Sequence, residues 1–286
     1  MEGYLTIKEV AEKYIEGCQT KIQMPTKRLI GKSIMAGMMI AMGAGISSVA
    51  AHTIPDVGLA RLAAAVVFPV GLMMVILMGA ELFTGDCLVA MSVFDGKQKI
   101  RNCAKLLLFV YLGNFVGAAL TALFISMSGQ WDYSSGMLGA YTIKVAIGKV
   151  NISFAQGIIS GILCNILVCA AVLMAMCAKD ITGKLLASFF VIMLFVTGGF
   201  EHCVANMYYI TAGLLAECNP QYVELAKEAY GFSQEYLGTL NVENYFVKNL
   251  LPVTIGNIIG GAFCVGVPVY YLNFDKKNQR RLSRIR

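Results

Sequence analysis

Glu201 and His202 interrupt an otherwise apolar segment that begins near Leu185. A charged side chain at the centre of a membrane helix costs about 2.5–3.5 kcal/mol on insertion scales, so such residues usually face a polar interior or a solute pathway. Gly198 and Gly199 directly precede the pair. Paired glycines permit a helix break, and the backbone groups that a break frees are tolerated only beside protein or water. This stretch therefore predicts a solute-binding site near the membrane midplane.

A histidine beside such a break has two possible roles. Burial disfavours the charged form of an imidazole, so we expect His202 to be neutral in an empty pore. A neutral imidazole can donate a hydrogen bond or a proton to an entering anion. Alternatively, the ring only holds the break in shape.

Composition places the chain among polytopic membrane proteins. Hydrophobic residues make up 57% of its 286 residues, charged residues make up 14%, and the mean hydropathy is +0.67. No polar stretch is large enough to form a separate soluble domain. The N-terminal segment is polar and helix-periodic and does not resemble a cleavable signal, so we expect the first apolar span to direct membrane insertion.

Neither a metal site nor nucleic-acid binding is indicated. The nine cysteines lie mostly within apolar spans and include no C-x-x-C pair, which favours small buried side chains over a zinc site or a disulfide framework. The net charge of +6 comes from basic residues that are distributed by membrane side, a pattern that sets topology. We expect no cofactor, no metal and no nucleic acid, with membrane lipids as the surroundings.

Residues 5–22 are predicted to form an amphipathic helix. Thr6 and Glu9 have the spacing of a capping box, and apolar residues recur behind them at helical intervals. Pro25 ends the helix. The element belongs to a cytoplasmic segment, 1–28, and an interfacial anchor is favoured over a gate.

Six apolar spans follow, each long enough for the roughly 20 residues that a bilayer requires. An even number of spans puts both termini on one side, and that side holds most of the 23 Lys and Arg residues. The positive-inside rule then predicts both termini, including a basic tail at 274–286, in the cytoplasm. Residues 214–246 are expected to form an outside loop with helical stretches. The predicted spans are 30–52, 60–93, 103–128, 153–178, 183–213 and 247–272.

The spans form an internal repeat within a channel domain at 29–273. Each half has a plain span, then a span broken at a glutamate, then a span with a GN-x-x-G motif at 113–117 or 256–260. Three spans is an odd number, so the second repeat, about 153–272, must be inserted upside down relative to the first, about 30–128. The sequence predicts an all-α fold of six transmembrane helices in two inverted three-helix repeats, with spans two and five broken. The small-residue motifs suit close helix packing around the breaks.

Two broken helices would direct two N-termini towards the midplane. Each N-terminus carries about half a positive charge and unpaired N–H groups, so an anion would find donors without a fixed full charge. The first break lies within GAELFTGDCL at 79–88, where Thr84 is either a solute ligand or a helix cap. Glu81 and Glu201 would repel an anion. We expect both carboxylates to turn from the pore and accept hydrogen bonds from loop amides or the opposite repeat.

Five motifs surround the breaks and the GN-x-x-G positions: GAELFTG at 79–85, GNFVGA at 113–118, GILCNILVC at 161–169, GGFEHCVANMY at 198–208 and NLLPVTIGNIIGGA at 249–262. Together they are highly specific, and through them nearly the whole chain resembles the formate/nitrite transporter family. The resemblance implies an aquaporin-like fold with one pore per protomer and a symmetric homopentamer in the bacterial inner membrane. It also implies transport of a small monovalent anion such as formate, nitrite or hydrosulfide.

The resemblance assigns roles to individual residues. His202 matches the central histidine of the family, Thr84 the hydroxyl residue that faces it, and Lys149 a vestibule lysine. Polar pore residues of the family match Asn165 and Asn257. One apolar constriction matches Leu82, Phe83, Phe68 and Leu72, and the other matches Phe200 and Phe195. The residues expected to support the breaks are Glu81, Glu201, Gly85, Gly198 and Gly199.

The chain departs from the family pattern after the first break. It continues with Gly85, Asp86 and Cys87 where small hydroxyl residues are expected, so the sequence does not favour formate over the other anions. An aquaporin-type pore for neutral solutes is the alternative, although the Asn-Pro-Ala motifs of aquaporins are absent. An intramembrane enzyme that uses His202 and Cys203 is disfavoured, because adjacent helical positions point about 100° apart.

Overall fold

The computed structural model describes residues 3–274, which form helices and a single isolated bridge between Tyr4 and Ala178. The predicted basic tail lies, apart from its first residue, outside the described residues. The helices, numbered here in chain order, are α1 Ile7–Gln23, α2 Thr26–Ala51, α3 Val57–Met78, α4 Phe83–Phe94, α5 Ile100–Met127, α6 Met137–Val150, α7 Phe154–Cys177, α8 Ile181–Gly198, α9 Cys203–Ala216, α10 Pro220–Tyr230, α11 Gln234–Leu237 and α12 Val242–Asn273.

The described residues contain six helices that are long and apolar enough to cross a membrane, which confirms the predicted number of spans. These are α2, α3, α5, α7, α8 and α12. Two shorter apolar helices, α4 and α9, follow α3 and α8 after short interruptions. The predicted second span therefore consists of α3 and α4, and the predicted fifth span consists of α8 and α9. The protein is a multi-pass membrane protein.

Small residues allow the third and sixth spans to approach their neighbours closely. In α5, a Cβ added at Gly117 would overlap the carbonyl of Ile34 in α2. In α12, a Cβ added at Gly260 would overlap the carbonyl of Ile162 in α7. Because backbone stands in the way at both positions, only glycine fits there. The GN-x-x-G motifs thus pack α5 on α2 and α12 on α7, as the sequence predicted.

Helix α12 is π-helical over Tyr245–Leu250 and Ile259–Gly266. Pro252 and Pro268 follow these two segments by two residues, and a proline cannot donate the N–H that regular α-helical bonding requires. Asn257 lies in the short α-helical stretch between the two segments. The two π-helical segments of α12 thus lie on either side of Asn257, whose side chain hydrogen-bonds to the second break.

Helix α1 begins with the predicted capping box, in which the Thr6 hydroxyl accepts from the Glu9 N–H and the Glu9 carboxylate accepts from the Thr6 N–H. Its apolar face packs on the protein, against α4, α5, α7 and α12. The residues that this face buries are Val10, Ala11, Tyr14, Ile15 and Cys18. We call the side of the molecule that α1 covers the α1 face.

Helix α6 was not predicted from the sequence. It lies between the third and fourth spans, packs on α9, α10 and α2, and ends just after Lys149. Because α5 and α7 cross between the two sides, α6 lies on the side opposite α1, which we call the α6 face. Each half of the chain thus has one helix that precedes its first span, α1 in the first half and α6 in the second.

Candidate functional site

Each broken span is interrupted by four non-helical residues with the same backbone course. Gly79 and Gly199 begin the interruptions with φ of 62° and 68°, in the left-handed region that favours glycine. Leu82 and His202 end them in the extended conformation, with φ of −113° and −110°. Gly198, also expected to support the second break, is the last residue of α8. Gly79 thus corresponds to Gly199, and Leu82 corresponds to His202, in the backbone conformation of the two breaks.

Asn114 of α5 satisfies the backbone of the first break. Its Oδ1 accepts a hydrogen bond from the N–H of Phe83 at 2.9 Å. Its Nδ2 donates to the carbonyls of Ser33 at 2.7 Å and Glu81 at 2.9 Å. Asn114 is fully buried, so its amide replaces the hydrogen bonds that the helix loses at the break.

Asn257 of α12 does the same for the second break. Its Oδ1 accepts from the N–H of Cys203 at 2.9 Å, and its Nδ2 donates to the carbonyls of Gly161 at 2.8 Å and Glu201 at 3.0 Å. The resemblance to the formate/nitrite transporter family implied that Asn257 is a polar pore residue. In the structure its amide is occupied by backbone groups and it lines neither of the two cavities described below.

Thr84 and His202 meet at the centre of the molecule. Thr84 Oγ1 lies 3.0 Å from His202 Nε2, and both residues are buried. His202 Nδ1 accepts a hydrogen bond from the N–H of Ala205 at 3.1 Å, which caps the N-terminus of α9. We assign the Nε2–H tautomer on this basis, because a nitrogen that accepts carries no proton. His202 therefore donates to Thr84, whose own hydroxyl proton is left to donate elsewhere.

Asn165 of α7 connects the two breaks. Its Nδ2 donates to the carbonyls of Thr84 at 3.1 Å and Asn257 at 2.6 Å. The thiol of Cys169 donates to the same Thr84 carbonyl at 3.3 Å. Asn165 has no exposed surface and lines neither cavity, so it positions Thr84 from behind.

Two cavities approach this central pair from opposite sides. The larger, about 470 Å³, lies on the α6 face and reaches His202. The smaller, about 240 Å³, lies beneath α1 and reaches Leu82 and Asp86. Thr84 lines neither cavity, and the two cavities share no lining residue.

Apolar side chains close both cavities towards the centre. Phe68 and Phe195 pack edge to face at 5.4 Å in the wall of the larger cavity, with the Phe195 ring 6.0 Å from that of His202. Leu72 and Leu82 line the smaller cavity. The sequence grouped Phe68 with Leu72, whereas the structure puts them in the walls of different cavities. Four helical residues rise about 6 Å along the axis, enough to place two side chains of one helix face on opposite sides of the centre.

The two remaining predicted constriction residues differ in position. Phe200 is half-buried and lines the larger cavity with Phe68 and Phe195. Phe83 is buried, lines neither cavity, and packs its ring edge to face against Tyr111 at 4.9 Å. The structure thus brings Phe200 to the larger cavity and turns Phe83 towards α5.

Lys149 lines the larger cavity, as the resemblance implied, and pairs with Glu201. Its Nζ lies 2.6 Å from Glu201 Oε1. Asn206 Nδ2 donates to Glu201 Oε2 at 2.6 Å and to Asn249 Oδ1 at 2.9 Å. Asn249 Nδ2 in turn donates to the carbonyl of Lys149 at 2.8 Å, which closes the network.

The first break has a similar network on the α1 face. Lys21 of α1 places its Nζ 2.6 Å from Glu81 Oε2 and hydrogen-bonds Asp86 Oδ1, and Lys32 Nζ lies 4.0 Å from Glu81 Oε1. Burial alone would lower the pKa of Lys21, but the Asp86 and Glu81 carboxylates outweigh it and raise that pKa above its ordinary value. The main partners of both break glutamates are therefore lysines, whereas we expected hydrogen bonds from loop amides or from the opposite repeat.

Helix α1 also contacts the backbone of the first break. The hydroxyl of Tyr14 donates to the carbonyl of Gly85 at 3.1 Å. Gly85, which we expected to support the break, lies in the first turn of α4. Tyr14 and Lys21 both line the smaller cavity, so α1 forms part of its wall.

Side chains occupy part of the N–H groups at the two inward-pointing helix ends. Asn114 binds the N–H of Phe83 in α4, and Asn257 binds that of Cys203 in α9. His202 binds the N–H of Ala205. We expected these N–H groups to face a solute unpaired. The N–H groups of Phe83, Cys203 and Ala205 are thus already bonded, whereas the Thr84 hydroxyl, which accepts from His202, still has a proton to donate.

Comparison with known proteins identifies the family. The model of the formate/nitrite transporter family matches residues 8–271, from α1 to near the end of α12. The chain belongs to this family. Its members are transport channels, so the protein is a transport channel and not an enzyme, and the resemblance found in the sequence motifs is confirmed.

Individual formate/nitrite transporters match over most of the chain. The formate channel FocA of Haemophilus influenzae is 39% identical over 221 residues, which is 75% of each chain. FocA of Escherichia coli K12 is 34% identical over 77% of this chain and 76% of its own. The uncharacterized transporter YrhG of Bacillus subtilis is 36% identical over 96% of this chain and 95% of its own.

Two solved structures of the family share the fold. A pentameric formate channel with formate bound superimposes with a TM-score of 0.77 at 28% identity, covering 86% of this chain and 97% of that one. An FNT family ion channel superimposes with a TM-score of 0.76 at 25% identity, covering 92% and 98%. The predicted all-α fold with six membrane spans is thus confirmed.

The sequence analysis missed several residues of this formate/nitrite transporter site. Asn114 was noted only as part of a packing motif, and Lys21 only as part of an amphipathic helix. Arg61 and Lys144 add two cations to the larger cavity, and neither forms an ion pair within the described residues. A usable signal existed for Asn114, because it holds the same motif position as Asn257. None existed for the cations, whose depth the sequence does not reveal.

Proposed function

We propose that this chain conducts a small monovalent anion through a pore in each protomer, with formate as the first candidate. The observation that carries the proposal is the uncharged Thr84–His202 pair, enclosed between apolar side chains with a cavity on either side. The names of the relatives favour formate, since several of them are formate channels. A formate ion has two carboxylate oxygens, which suit the Thr84 hydroxyl and the His202 N–H.

The two cavities serve as entrances for the anion. Lys149 stands in the larger cavity and Lys21 in the smaller one, and each ammonium is paired with the glutamate of the nearer break. A paired lysine attracts an anion less strongly than a free one. Binding in the entrances is therefore weak, and a channel needs weak binding because the solute must also leave.

The apolar walls select what passes between the entrances. Phe68, Phe195 and Phe200 on one side and Leu72 and Leu82 on the other offer no polar group to replace the water around an ion. Moving a charge into such surroundings costs many kcal/mol, and protonation removes most of that cost. Small anions of weak acids are favoured substrates, because they can cross these walls as the neutral acid.

His202 acts as a hydrogen-bond donor and not as the source of the proton. A charged imidazole would carry a proton on Nδ1, where it would face the N–H of Ala205 that caps α9. Charging His202 would therefore break the cap and oppose two donors, whereas the neutral ring donates from Nε2 without change. The proton that accompanies the anion comes from outside the central pair.

The assembly and placement follow from the same arguments. Large apolar side chains are exposed along the outer faces of the spans, among them Leu108, Leu112, Phe124 and Leu194. Lipid or neighbouring subunits must cover these faces, and the pentameric formate channel offers the arrangement that we propose for this chain. The excess of basic residues on the α1 face supports a cytoplasmic location for that face, and we propose a bacterial inner membrane as the location of the protein.

A flux assay in proteoliposomes tests the function. Formate, nitrite, hydrosulfide, chloride and lactate are compared at several pH values, with empty vesicles and Thr84→Val vesicles as references. We expect formate to move fastest, to compete with nitrite, and to move faster as the pH falls on the entrance side. Permeation of neutral solutes without competition by any anion would overturn the proposal in favour of an aquaporin-type pore.

A further inference from the structure

The two breaks differ in one supporting side chain. Five residues after Glu201, the amide of Asn206 donates a hydrogen bond to that carboxylate at 2.6 Å. Five residues after Glu81, the same place holds Asp86, a carboxylate that carries no hydrogen when it is ionised. The second break therefore has one carboxylate beside its lysine, and the first break has two.

The pair of carboxylates at the first break is closely confined. The side chains of Glu81 and Asp86 are only 5% and 3% exposed, and both contact the same Lys21 ammonium. Asp86 Oδ2 is buried and has no hydrogen-bond partner among the described residues. A buried ionised oxygen without a donor is strongly disfavoured, whereas a proton on that oxygen removes its charge.

The charged groups around Asp86 also favour a proton at this site. Lys21 binds both carboxylates directly, while Lys32 is 4.0 Å from the far oxygen of Glu81 and contacts no oxygen of Asp86. Two like charges that share one site cannot both stay ionised without a large penalty. The other ionisable groups that face Asp86 or line the same cavity are Lys13, Tyr14 and Cys18 of α1, Cys87 of α4 and Cys169 of α7.

None of these further groups replaces the proton. The hydroxyl of Tyr14 is used by the carbonyl of Gly85, and the thiol of Cys169 by that of Thr84. Lys13 lines the cavity but forms no ion pair with Asp86 within the described residues. At the second break, the amide of Asn206 donates a hydrogen bond to Glu201. At the first break, the corresponding residue Asp86 can donate only when its carboxyl is protonated.

We propose that Asp86 is a proton-binding site on the α1 face, holding one proton that it shares with Glu81 beside Lys21. Asp86 lines the smaller cavity together with Leu72 and Leu82, so the site lies directly before the apolar wall. Resting on the proposed function, this site supplies the proton for the anion. The carboxyl O–H of Asp86 gives its proton, through cavity water, to an oxygen of the anion, and the neutral acid enters the wall. The carboxylate that remains takes a new proton from the solvent on the α1 face.

Infrared spectroscopy of the full-length protein tests the proton site without any transport. A protonated carboxyl has its own C=O band, which we expect in the wild type near neutral pH and which disappears as the pH rises. Asp86→Asn is nearly isosteric and reproduces the arrangement at Asn206, so it should fold and lack the band. A wild-type spectrum that Asp86→Asn leaves unchanged at every pH would overturn the proposal.

A second variant tests the position of the proton. Lys21→Gln removes the ammonium that favours the ionised form, so the carboxyl band should persist to higher pH than in the wild type. Lys149→Gln, the matched change at the other break, should leave the band in place. If Lys21→Gln and Lys149→Gln affect the band equally, the proton does not reside at the first break.

Flux measurements separate the proton site from the proposed function. The pH is varied only on the α1 face, and the flux of anion entering from that face is measured. In the wild type this flux should fall about tenfold for each unit by which the pH rises, once the site is mostly ionised. In Asp86→Asn this dependence on pH should be weaker. Its response to pH on the α6 face should not change. If the wild type shows the Asp86 band but conducts no anion, the proposed function alone is refuted. If Asp86→Asn conducts the anion and its flux depends on the pH of the α1 face as in the wild type, the role of this proton is refuted.

Discussion

Asn114 and Asn257 make the same three hydrogen bonds in the two halves of the chain. Each amide accepts from the first helical N–H after a break and donates to the carbonyl of the break glutamate and to a carbonyl of the first span in its half. The distances agree within 0.1 Å for each pair of bonds. The repeat in the sequence thus corresponds to a repeated set of hydrogen bonds, by which a buried asparagine satisfies the backbone of each helix break.

Replacing either asparagine should destabilise the protein strongly. Asn114→Ala and Asn257→Ala each leave one N–H and two carbonyls without their partner, and an unsatisfied buried group costs about 1–3 kcal/mol. We expect similar, large decreases in the thermal unfolding temperature in detergent. Asn102→Ala, at an exposed position in the first turn of α5, is the control and should unfold like the wild type. A small effect at both positions would mean that water can satisfy the breaks.

The hydroxyl of Thr84 should be required for flux, and its methyl group should not. Thr84→Val keeps the shape but cannot donate, and a hydrogen bond to a neutral acid contributes about 0.5–1.5 kcal/mol, so formate flux should fall severalfold, up to about tenfold. Thr84→Ser keeps the hydroxyl and should stay within about twofold of the wild type on the same argument. If the valine variant conducts as fast as the serine variant, Thr84 serves only the structure.

Leu82 and Phe83 are neighbours in the chain but should respond differently to truncation. Leu82 lines the smaller cavity, so Leu82→Ala should widen the wall and let lactate pass at a higher rate relative to formate. Phe83 packs on Tyr111 away from the cavities, so Phe83→Ala should lower stability by about 3–5 kcal/mol and leave the lactate-to-formate ratio unchanged. Flux ratios together with unfolding temperatures check both. A changed ratio in Phe83→Ala would place its ring at the pathway after all.

Local patterns in the sequence predicted the framework of this site. Apolar length gives the spans, and paired or isolated glycines with a glutamate give the breaks, because both depend on residues that are close in the chain. His202 and Thr84 were recognised through the family motifs. The depth of a side chain within the membrane is not encoded locally, which is why Phe68 and Leu72 were assigned to one constriction.

Contacts between distant segments could not be predicted in the same way. Lys21 is 60 residues from Glu81 and 65 from Asp86, and an amphipathic helix gives no indication of what lies against its polar residues. Helix α6 was missed because it follows a loop and is too short to span a bilayer. For Asn114 the repeated motif gave a signal that the residue matters, but not its role, since a buried asparagine in a small-residue motif fits both close packing and backbone capping.

His202→Asn separates a hydrogen-bond donor from a proton carrier. Asparagine is a good helix N-cap, so its carbonyl can replace Nδ1 as the acceptor for the Ala205 N–H and preserve the start of α9. In the wild type, His202 Nε2 lies 3.0 Å from the Thr84 hydroxyl. The asparagine side chain is shorter and cannot make this hydrogen bond. We expect the fold and the oligomer to persist, and formate flux to fall about tenfold or more through the lost donor.

The pH profile of this variant decides between the two roles. If the accompanying proton comes from outside the central pair, the remaining flux of His202→Asn should still rise as the pH falls on the entrance side, with the slope of the wild type. If the imidazole itself carries the proton, that slope should disappear, because asparagine does not titrate. Native mass spectrometry in detergent and an unchanged unfolding temperature would show that the variant is intact. A flat profile in an intact His202→Asn oligomer would therefore assign the proton to His202 and overturn the donor mechanism.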